Sequence, residues 1–347
     1  MKKISCAVAG VLLVGSALHA GTGLTLESIK VDTVSSLDAG NAVWAKANPI
    51  EVVLDQLPYE SEKYKGIKTS TAKIQSVYDN ENVYFKIEYT DPTKSLERYP
   101  WEKQPDGTWK QLKNPDRFGK DNTYYEDRVA LYWDISARGF ERRGCAVACH
   151  MAENGKINGV DAGKTAGRKF TRAEGQFIDM WHAKGVRTDS VGQADDQFVN
   201  HYSDATVNRN WGRNGDEHTG GGYKDNINKE EKIPAFMSSK AQPDPFWIHD
   251  ADKVPFVDTF EPGDRLPAMV VSPRKGSRGD ISLNSKWEDG VWTYVIKRAL
   301  VTKHPKSADQ DVQFSDLSKT YPFGVSVFDN TQINHVYHEG SISLSFK

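Results

Sequence analysis

The feature that most constrains this chain is a succession of short segments in which apolar and polar residues alternate, each closed by a turn. Val83-Tyr84-Phe85-Lys86-Ile87-Glu88-Tyr89 follows the hairpin signal Asp79-Asn80-Glu81-Asn82 and is ended by Asp91-Pro92. Strands are likewise predicted at Ile50 to Leu54, within Ile67 to Val77, and at Asp127 to Asp134 and Gln176 to Lys184. The C-terminal third adds Ala268 to Val271, Ile281 to Leu283, Val291 to Arg298, Gly324 to Phe328 and Ile342 to Phe346. Gly276 to Gly279 and Glu288-Asp289-Gly290 read as turns. No amphipathic helix of useful length, internal repeat or low-complexity tract breaks the pattern. Short period-two segments bury their apolar faces against another sheet, so an all-β sandwich is expected. No Pro/Ser-rich linker divides the strands, and residues 21–347 are expected to form one domain.

Two stretches lack the alternation. Lys94 to Asn122 is charged and Pro/Gly-rich and reads as a long surface loop. Gly185 to about Pro234 is rich in Gly, Asn and Asp, as in a functional lid or an unstructured loop. Asp195-Asp196 and Asp204 lie in it, and their spacing matches no calcium-loop pattern, so a solvated acidic loop is expected there.

The 347-residue chain is long enough for a sizeable core, and its formal net charge of -2 gives no attraction to nucleic acid. Nine Trp exceed what a minimal core requires, and such rings pack a sandwich or wall a flat apolar cofactor. Lys2 and Lys3, then an apolar run from Ala7 to Leu18 and small residues up to Ala20, form a secretory signal peptide over residues 1–20. Cleavage after Ala20, or after Ala17, would remove Cys6 with the signal. The run is too short for a comfortable membrane span, and no other stretch approaches spanning length. The mature chain is therefore expected to be soluble and periplasmic, without a membrane span.

Cys145-Ala146-Val147-Ala148-Cys149-His150 holds the two cysteines that remain. Two thiols a few residues apart, with a histidine after the second, suit covalent haem attachment: thioethers to the vinyl groups and an axial imidazole beneath the iron. The usual spacer is two residues, and here it is three, which lengthens the reach without abolishing it. A small disulfide, a zinc site with a distant fourth ligand, or plain buried thiols would use the same cysteines. The export signal supports haem, because the periplasm is where c-type haem is attached.

The order of motifs is more specific than any one of them. An early turn and Trp44 precede the Val83 to Ile87 strand, then Asp127-Arg128-Val129-Ala130-Leu131 and Asp179-Met180-Trp181-His182-Ala183-Lys184. Gly276-Ser277-Arg278-Gly279-Asp280-Ile281, Asp289-Gly290-Val291-Trp292-Thr293, Asp311-Val312-Gln313-Phe314 and Gly324-Val325-Ser326-Val327-Phe328-Asp329-Asn330 follow. Over nearly the whole mature chain this resembles the ethylbenzene-dehydrogenase-related haem-binding family, the cytochrome c-552/DMSO-reductase-like haem-binding domain. The resemblance implies an immunoglobulin-like, carbohydrate-binding-module-like β-sandwich with long loop insertions around one haem. It also implies electron transfer, often as the haem subunit of a periplasmic molybdopterin oxidoreductase of the DMSO-reductase type. The best-described relatives hold haem b between methionine and lysine. This chain departs from them with Cys145, Cys149 and His150, and so looks like a c-type branch in which His150 replaces the methionine.

For the second axial ligand, His335 follows Phe328-Asp329-Asn330, where the family's distal lysine falls, and is the first choice. His338 is a substitute three residues on. His182 is the rival, sharing a strand face with Met180 and Lys184. Met151 adjoins the proximal histidine and cannot easily reach the opposite face. Met180, Met237 and Met269 read as core or loop residues, Trp181 as core, and His201, His218, His249 and His304 as surface residues. Lys184 and Arg187 are candidates to pair with the haem propionates, as are Arg142 and Arg143, with solvated charges as the alternative for each pair. The leading expectation is a monohaem c-type cytochrome that transfers electrons to redox partner proteins and is not itself an enzyme. The alternatives are a haem enzyme or small-ligand sensor with an open distal site, and a sugar-binding sandwich without haem.

Overall fold

The alternation predicted in the sequence forms one long sheet that folds over on itself. The structure is a computed structural model that describes residues 23–58, 64–115, 122–149, 156–157, 160–161, 169–202, 211–241 and 246–347. The proposed signal segment and His150 fall outside these. Among the described residues thirteen strands share the sheet. They are β1 (Leu24–Lys30), β2 (Ile50–Leu54), β3 (Ser70–Tyr78), β4 (Asn82–Thr90), β5 (Arg128–Asp134), β6 (Ile178–Lys184) and β7 (Asp195–Val199). Then come β8 (Arg213–Gly215), β9 (Ser282–Glu288), β10 (Val291–Ala299), β11 (Tyr321–Phe328), β12 (Val336–Tyr337) and β13 (Ile342–Phe346). They run in the order β8-β7-β6-β5-β11-β13-β1-β3-β4-β10-β9, with β2 on β3 and β12 on β11. The last strand, β13, and β3 flank β1, both parallel to it, and these pairings carry the sheet from one layer to the other.

The two layers meet through the residues that alternation turns inward. Val83, Phe85, Ile87 and Tyr89 of β4 and Trp292, Tyr294 and Ile296 of β10 face Val129, Leu131 and Trp133 of β5 and Trp181 of β6. Trp133 is the centre, its ring 5.4 Å from Phe85, 4.9 Å from Trp181, 5.2 Å from Phe314 and 4.6 Å from Phe323. Burying one such aromatic side chain contributes on the order of 3 kcal/mol, so this cluster fixes the sandwich. The all-β sandwich is as expected, and among the described residues helix is confined to single turns at Phe140–Arg143 and Ser307–Gln310 and a few 3-10 turns.

Two expectations fail. The 94–122 segment is not merely a surface loop: Trp101–Lys103 and Trp109–Gln111 pair with each other, and Trp101 and Trp109 bury their rings. The 185–234 segment is not a lid or a solvated loop. It supplies β7, β8 and Gly220–Asp225, and Asp195 and Asp196 are fully buried on β7. Their polar side chains find partners inside the fold, which composition does not reveal. Asp204 falls outside the described residues.

Strands β5 and β6 are buried on both faces, which an outer strand of a bare sandwich is not. Their inner residues enter the main core, whereas Ala130, Tyr132, Ile178 and Met180 point outward into a second cluster with Cys145, Val147, Ala148, Cys149 and Phe328. The cysteine segment is therefore a third layer over the outer sheet face.

Candidate haem site

The cysteine turn is shaped by its glycines and by the spacer. Asp134 at the end of β5 accepts from the Ala137 backbone amide at 2.8 Å, and the chain then winds through Phe140–Arg143 into a 3-10 turn at Gly144–Val147. Gly144 has φ +53°, and a Cβ there would lie 1.8 Å from the Gly340 carbonyl oxygen, so only glycine allows the docking. Ser341 fastens the same contact by donating its hydroxyl to the Glu141 carbonyl at 2.6 Å. The Ala148 and Cys149 amides both donate to the Cys145 carbonyl, at 3.1 and 3.0 Å. A three-residue spacer wound in this way sets Cys145 and Cys149 one helical turn apart, hence on one side of the turn. Both are buried and neither forms a disulfide.

Beneath the turn lies a row set by strand register. Met180 of β6 stands opposite Tyr132 of β5, and Tyr132 opposite Gly324 of β11. A Cβ on Gly324 would touch Cys145 at 3.5 Å from its Cβ and 3.8 Å from its sulfur, so the missing side chain cradles that cysteine. The Tyr132 hydroxyl is buried beside Cys149 and favours its thiolate. The Phe170 amide donates to the Ala148 carbonyl, and this brings Lys169 Nζ within 3.8 Å of the Cys149 sulfur. The Cys145 thiol donates towards Cys149 and, against burial, the Lys169 ammonium adds to it, so the Cys149 thiol is lowered to about 6. The Cys145 thiol is pushed up, first by its hydrogen bond to Cys149 and then by burial.

Two histidines flank Phe328 at the edge of this cluster, His335 at 4.4 Å and His182 at 5.5 Å between ring centroids. His335 is buried and its Nδ1 lies 2.8 Å from the Ile333 carbonyl. A carbonyl only accepts, so Nδ1 carries the proton and Nε2 the lone pair, the tautomer and orientation that metal-ligating histidines show. Burial and the nearby Lys169 charge lower its pKa to about 3, keeping the ring neutral. His182 is held differently: Arg128 Nη1 is 3.4 Å from its Nε2 and Arg213 Nη2 is 3.4 Å from its Nδ1. A neutral ring has one lone pair, and with a guanidinium at each nitrogen that lone pair is offered to an arginine rather than to a metal. His338 lies at the surface side, with Nδ1 3.0 Å from the Val53 carbonyl.

Lys184 and Arg187, expected at the haem propionates, are committed elsewhere. Lys184 shares His182's strand face, as alternation required, but its ammonium is buried against Asp195, which Arg278 also meets at 2.6 Å. Arg187 pairs with buried Glu126 and donates to the Tyr125 hydroxyl at 3.2 Å. Both charges thus have carboxylate partners within the chain, which removes the reason to assign them to a cofactor. Arg142 and Arg143 are exposed. The cations nearest the cluster are ones the sequence did not single out. Lys169 lies 4.9 Å from the Tyr132 ring centroid, and Arg128 lies 3.9 Å from that of Phe328. Arg213 donates to Gln197 at 2.6 Å. Arg128 carried a signal, an arginine inside an apolar strand; Lys169 carried none.

The residues around the cysteine turn fit a haem in chemistry: two free thiols on one side, a neutral oriented imidazole, a thioether at Met180, apolar walls and three nearby cations. A family model described as ethylbenzene dehydrogenase matches residues 41–340. No curated protein sequence matches the chain. Among solved structures, the chain is similar to a carbohydrate binding module family 9 from Caldicellulosiruptor kristjanssonii in complex with cellotriose. The identity is 8%, the TM-score 0.35, and 93% of this chain and 94% of that chain are covered. The same module in complex with glucose gives 8%, 0.35, 92% and 96%. A putative carbohydrate-binding protein from Bacteroides uniformis gives 10%, 0.33, 94% and 100%.

Proposed function

The chain belongs to the ethylbenzene dehydrogenase family, and we propose that it is a periplasmic monohaem c-type cytochrome that carries electrons for an oxidoreductase without catalysing a reaction itself. The observation that carries this is the turn of two free buried thiols over the outer sheet face, beside which His335 is held in ligating tautomer. Cys145 and Cys149 would each add a thiol across a vinyl group, the S–C bond forming at one carbon and the thiol hydrogen ending on the other, with no net oxidation. The low Cys149 thiol range supports that role, because the thiolate is the nucleophile. His150 would be the proximal ligand and His335 the distal one.

A haem held there supplies a one-electron Fe(III)/Fe(II) couple. The remaining residues set its surroundings. Ile178, Met180, Tyr132 and Phe328 exclude water from one side of the turn, and Arg128, Lys169 and Arg213 offer charge to propionates. Export through residues 1–20 would deliver the chain to the compartment where the thioethers form. The family points to a molybdopterin enzyme of the DMSO-reductase type as the redox partner. Among the described residues no helix is long and apolar enough to cross a membrane.

A visible spectrum of the purified protein tests this reading. A low-spin spectrum insensitive to carbon monoxide and cyanide is expected, and His335→Ala is expected to turn it high-spin while haem stays attached. A high-spin parent that binds carbon monoxide rapidly would mark the open distal site of an enzyme or sensor. An unchanged His335→Ala spectrum, with conversion in His182→Ala, would move the ligand to β6.

A further inference from the structure

On the face of β6 turned away from the cysteines, five carboxylates converge around one arginine. Asp179 comes from β6, Asp196 from β7, Asp216 from just after β8, Asp280 from just before β9, and Asp311 from the segment before β11. Carboxylate oxygens of Asp179, Asp196 and Asp311 lie within 4.8 Å of one another, and all three residues are 0% exposed. Asp216 approaches Asp311, and Asp280 approaches Asp196. Among the described residues Arg298, equally buried, is the only cation in salt-bridge range of the three central carboxylates, with Nη2 3.5 Å from Asp311 and 3.9 Å from Asp179.

The hydrogen bonds divide these oxygens into two sets. Asp179 Oδ2 accepts from the Trp181 indole and the Val312 amide, both at 2.9 Å. Asp311 Oδ2 accepts from the Thr302 hydroxyl, Asp216 Oδ2 from the Ser277 hydroxyl at 3.1 Å, and Asp280 Oδ2 meets His304 Nε2 at 3.3 Å. The Oδ1 atoms of Asp179, Asp216, Asp280 and Asp311, and both oxygens of Asp196, are buried and accept no hydrogen bond from outside the carboxylate cluster among the described residues. Buried carboxylate oxygens without donors are expensive, and here six are gathered in one place. The second buried triad, Asp91, Asp127 and Asp329, shows the contrast. Its oxygens accept from Thr93, Ser95, Asn330, Ile67 and Trp292, and among the described residues only Asp91 Oδ2 is left over.

We propose that Asp179, Asp196 and Asp311, flanked by Asp216 and Asp280, bind a calcium-class divalent cation that ties β6 and β7 to the segments before β9 and β11. The donor set is oxygen only, which excludes the softer metals that prefer nitrogen or sulfur. Six carboxylate oxygens suit calcium, whereas magnesium keeps several waters and takes one or two carboxylates. A proton-only solution is the competitor, since burial and mutual repulsion push Asp216 up to about 9 and Asp179 to about 7. The site stands independently of haem, although it fastens the strand whose other face carries Met180 and His182.

The experiment is elemental analysis of the purified full chain after dialysis in trace calcium, with thermal unfolding in EDTA, CaCl2 and MgCl2. About one calcium per chain is expected, with Tm higher by about 3 °C or more in 1 mM CaCl2 than in EDTA and a smaller response to MgCl2. Asp196→Asn is expected to lose the bound calcium and the calcium-dependent rise, while Asp91→Asn keeps both. No bound calcium in the parent together with equal Tm in all three conditions overturns the proposal. So does a magnesium response equal to that of calcium. The parent's metal content decides the matter even where Asp196→Asn does not fold.

Discussion

Cys149 shows how a single side chain's chemistry is set by neighbours far apart in sequence. Its thiol sits against Cys145 four residues back and against Lys169 twenty residues on, and both favour the thiolate. Lys169→Met is expected to raise the Cys149 thiol from about 6 towards the ordinary range, read as a shift in the ultraviolet thiolate titration of the haem-free protein. No shift would mean that Cys145 and Tyr132 set the value without Lys169. Cys145 and Cys149 were legible in the sequence because thiols are rare and their spacing is chemical. His335 was legible only through its place in a family pattern, and His182 could be separated from it only once Arg128 and Arg213 were seen at its two nitrogens. Lys169 was hidden because a lysine in a Gly-rich stretch carries no period, and its meaning comes from the Phe170 to Ala148 hydrogen bond.

Strand β6 holds the two parts of the account together, because its period-two alternation sends successive residues to different tasks. Met180 and His182 face the cysteine layer, Trp181 enters the core, and Asp179 joins the carboxylate cluster. The split of Met180, His182 and Lys184 from Trp181 was legible from the alternation alone, whereas the partners of Asp179 come from segments distant in sequence. The short strands of 94–122 and 185–234 were not legible, because three to six residues give too little alternation and their polar side chains are buried by partners distant in sequence. The cysteine turn depends on glycine at one point in particular. Gly144→Ala must relieve both a φ of +53° and a 1.8 Å approach to the Gly340 carbonyl, and is expected to cost about 2 kcal/mol or more by urea unfolding. Gly107→Ala, with φ +85° but nothing within 4 Å, is expected to cost only about 1 kcal/mol. Equal costs would show that the Gly340 contact is not tight.

At the level of the whole molecule, one folded-over sheet buries charge as well as apolar surface, and the charge governs its response to acid. Glu126 is fully buried; burial alone would raise its pKa, but the Arg187 and Arg98 guanidiniums outweigh that and hold it below the ordinary 4.5. A carboxylate depressed in the folded state adds stability that is present above its unfolded pKa and lost as the pH falls below about 4.5. The contribution of Glu126 is therefore expected to be lost through that window, so that the parent's stability advantage over Glu126→Gln in urea unfolding shrinks as the pH falls. Arg187→Met, which leaves Glu126 without its main partner, is expected to cost about 3–5 kcal/mol in urea unfolding at neutral pH. The proposed covalent haem is addressed most directly by mass spectrometry of the denatured chain. The protein would be produced through a bacterial periplasm with c-type haem attachment active. A mass raised by one haem over the chain lacking residues 1–20, and lost in the Cys145→Ser/Cys149→Ser double variant, is the predicted result. A parent chain at its bare polypeptide mass, with no haem retained after denaturation, would contradict it.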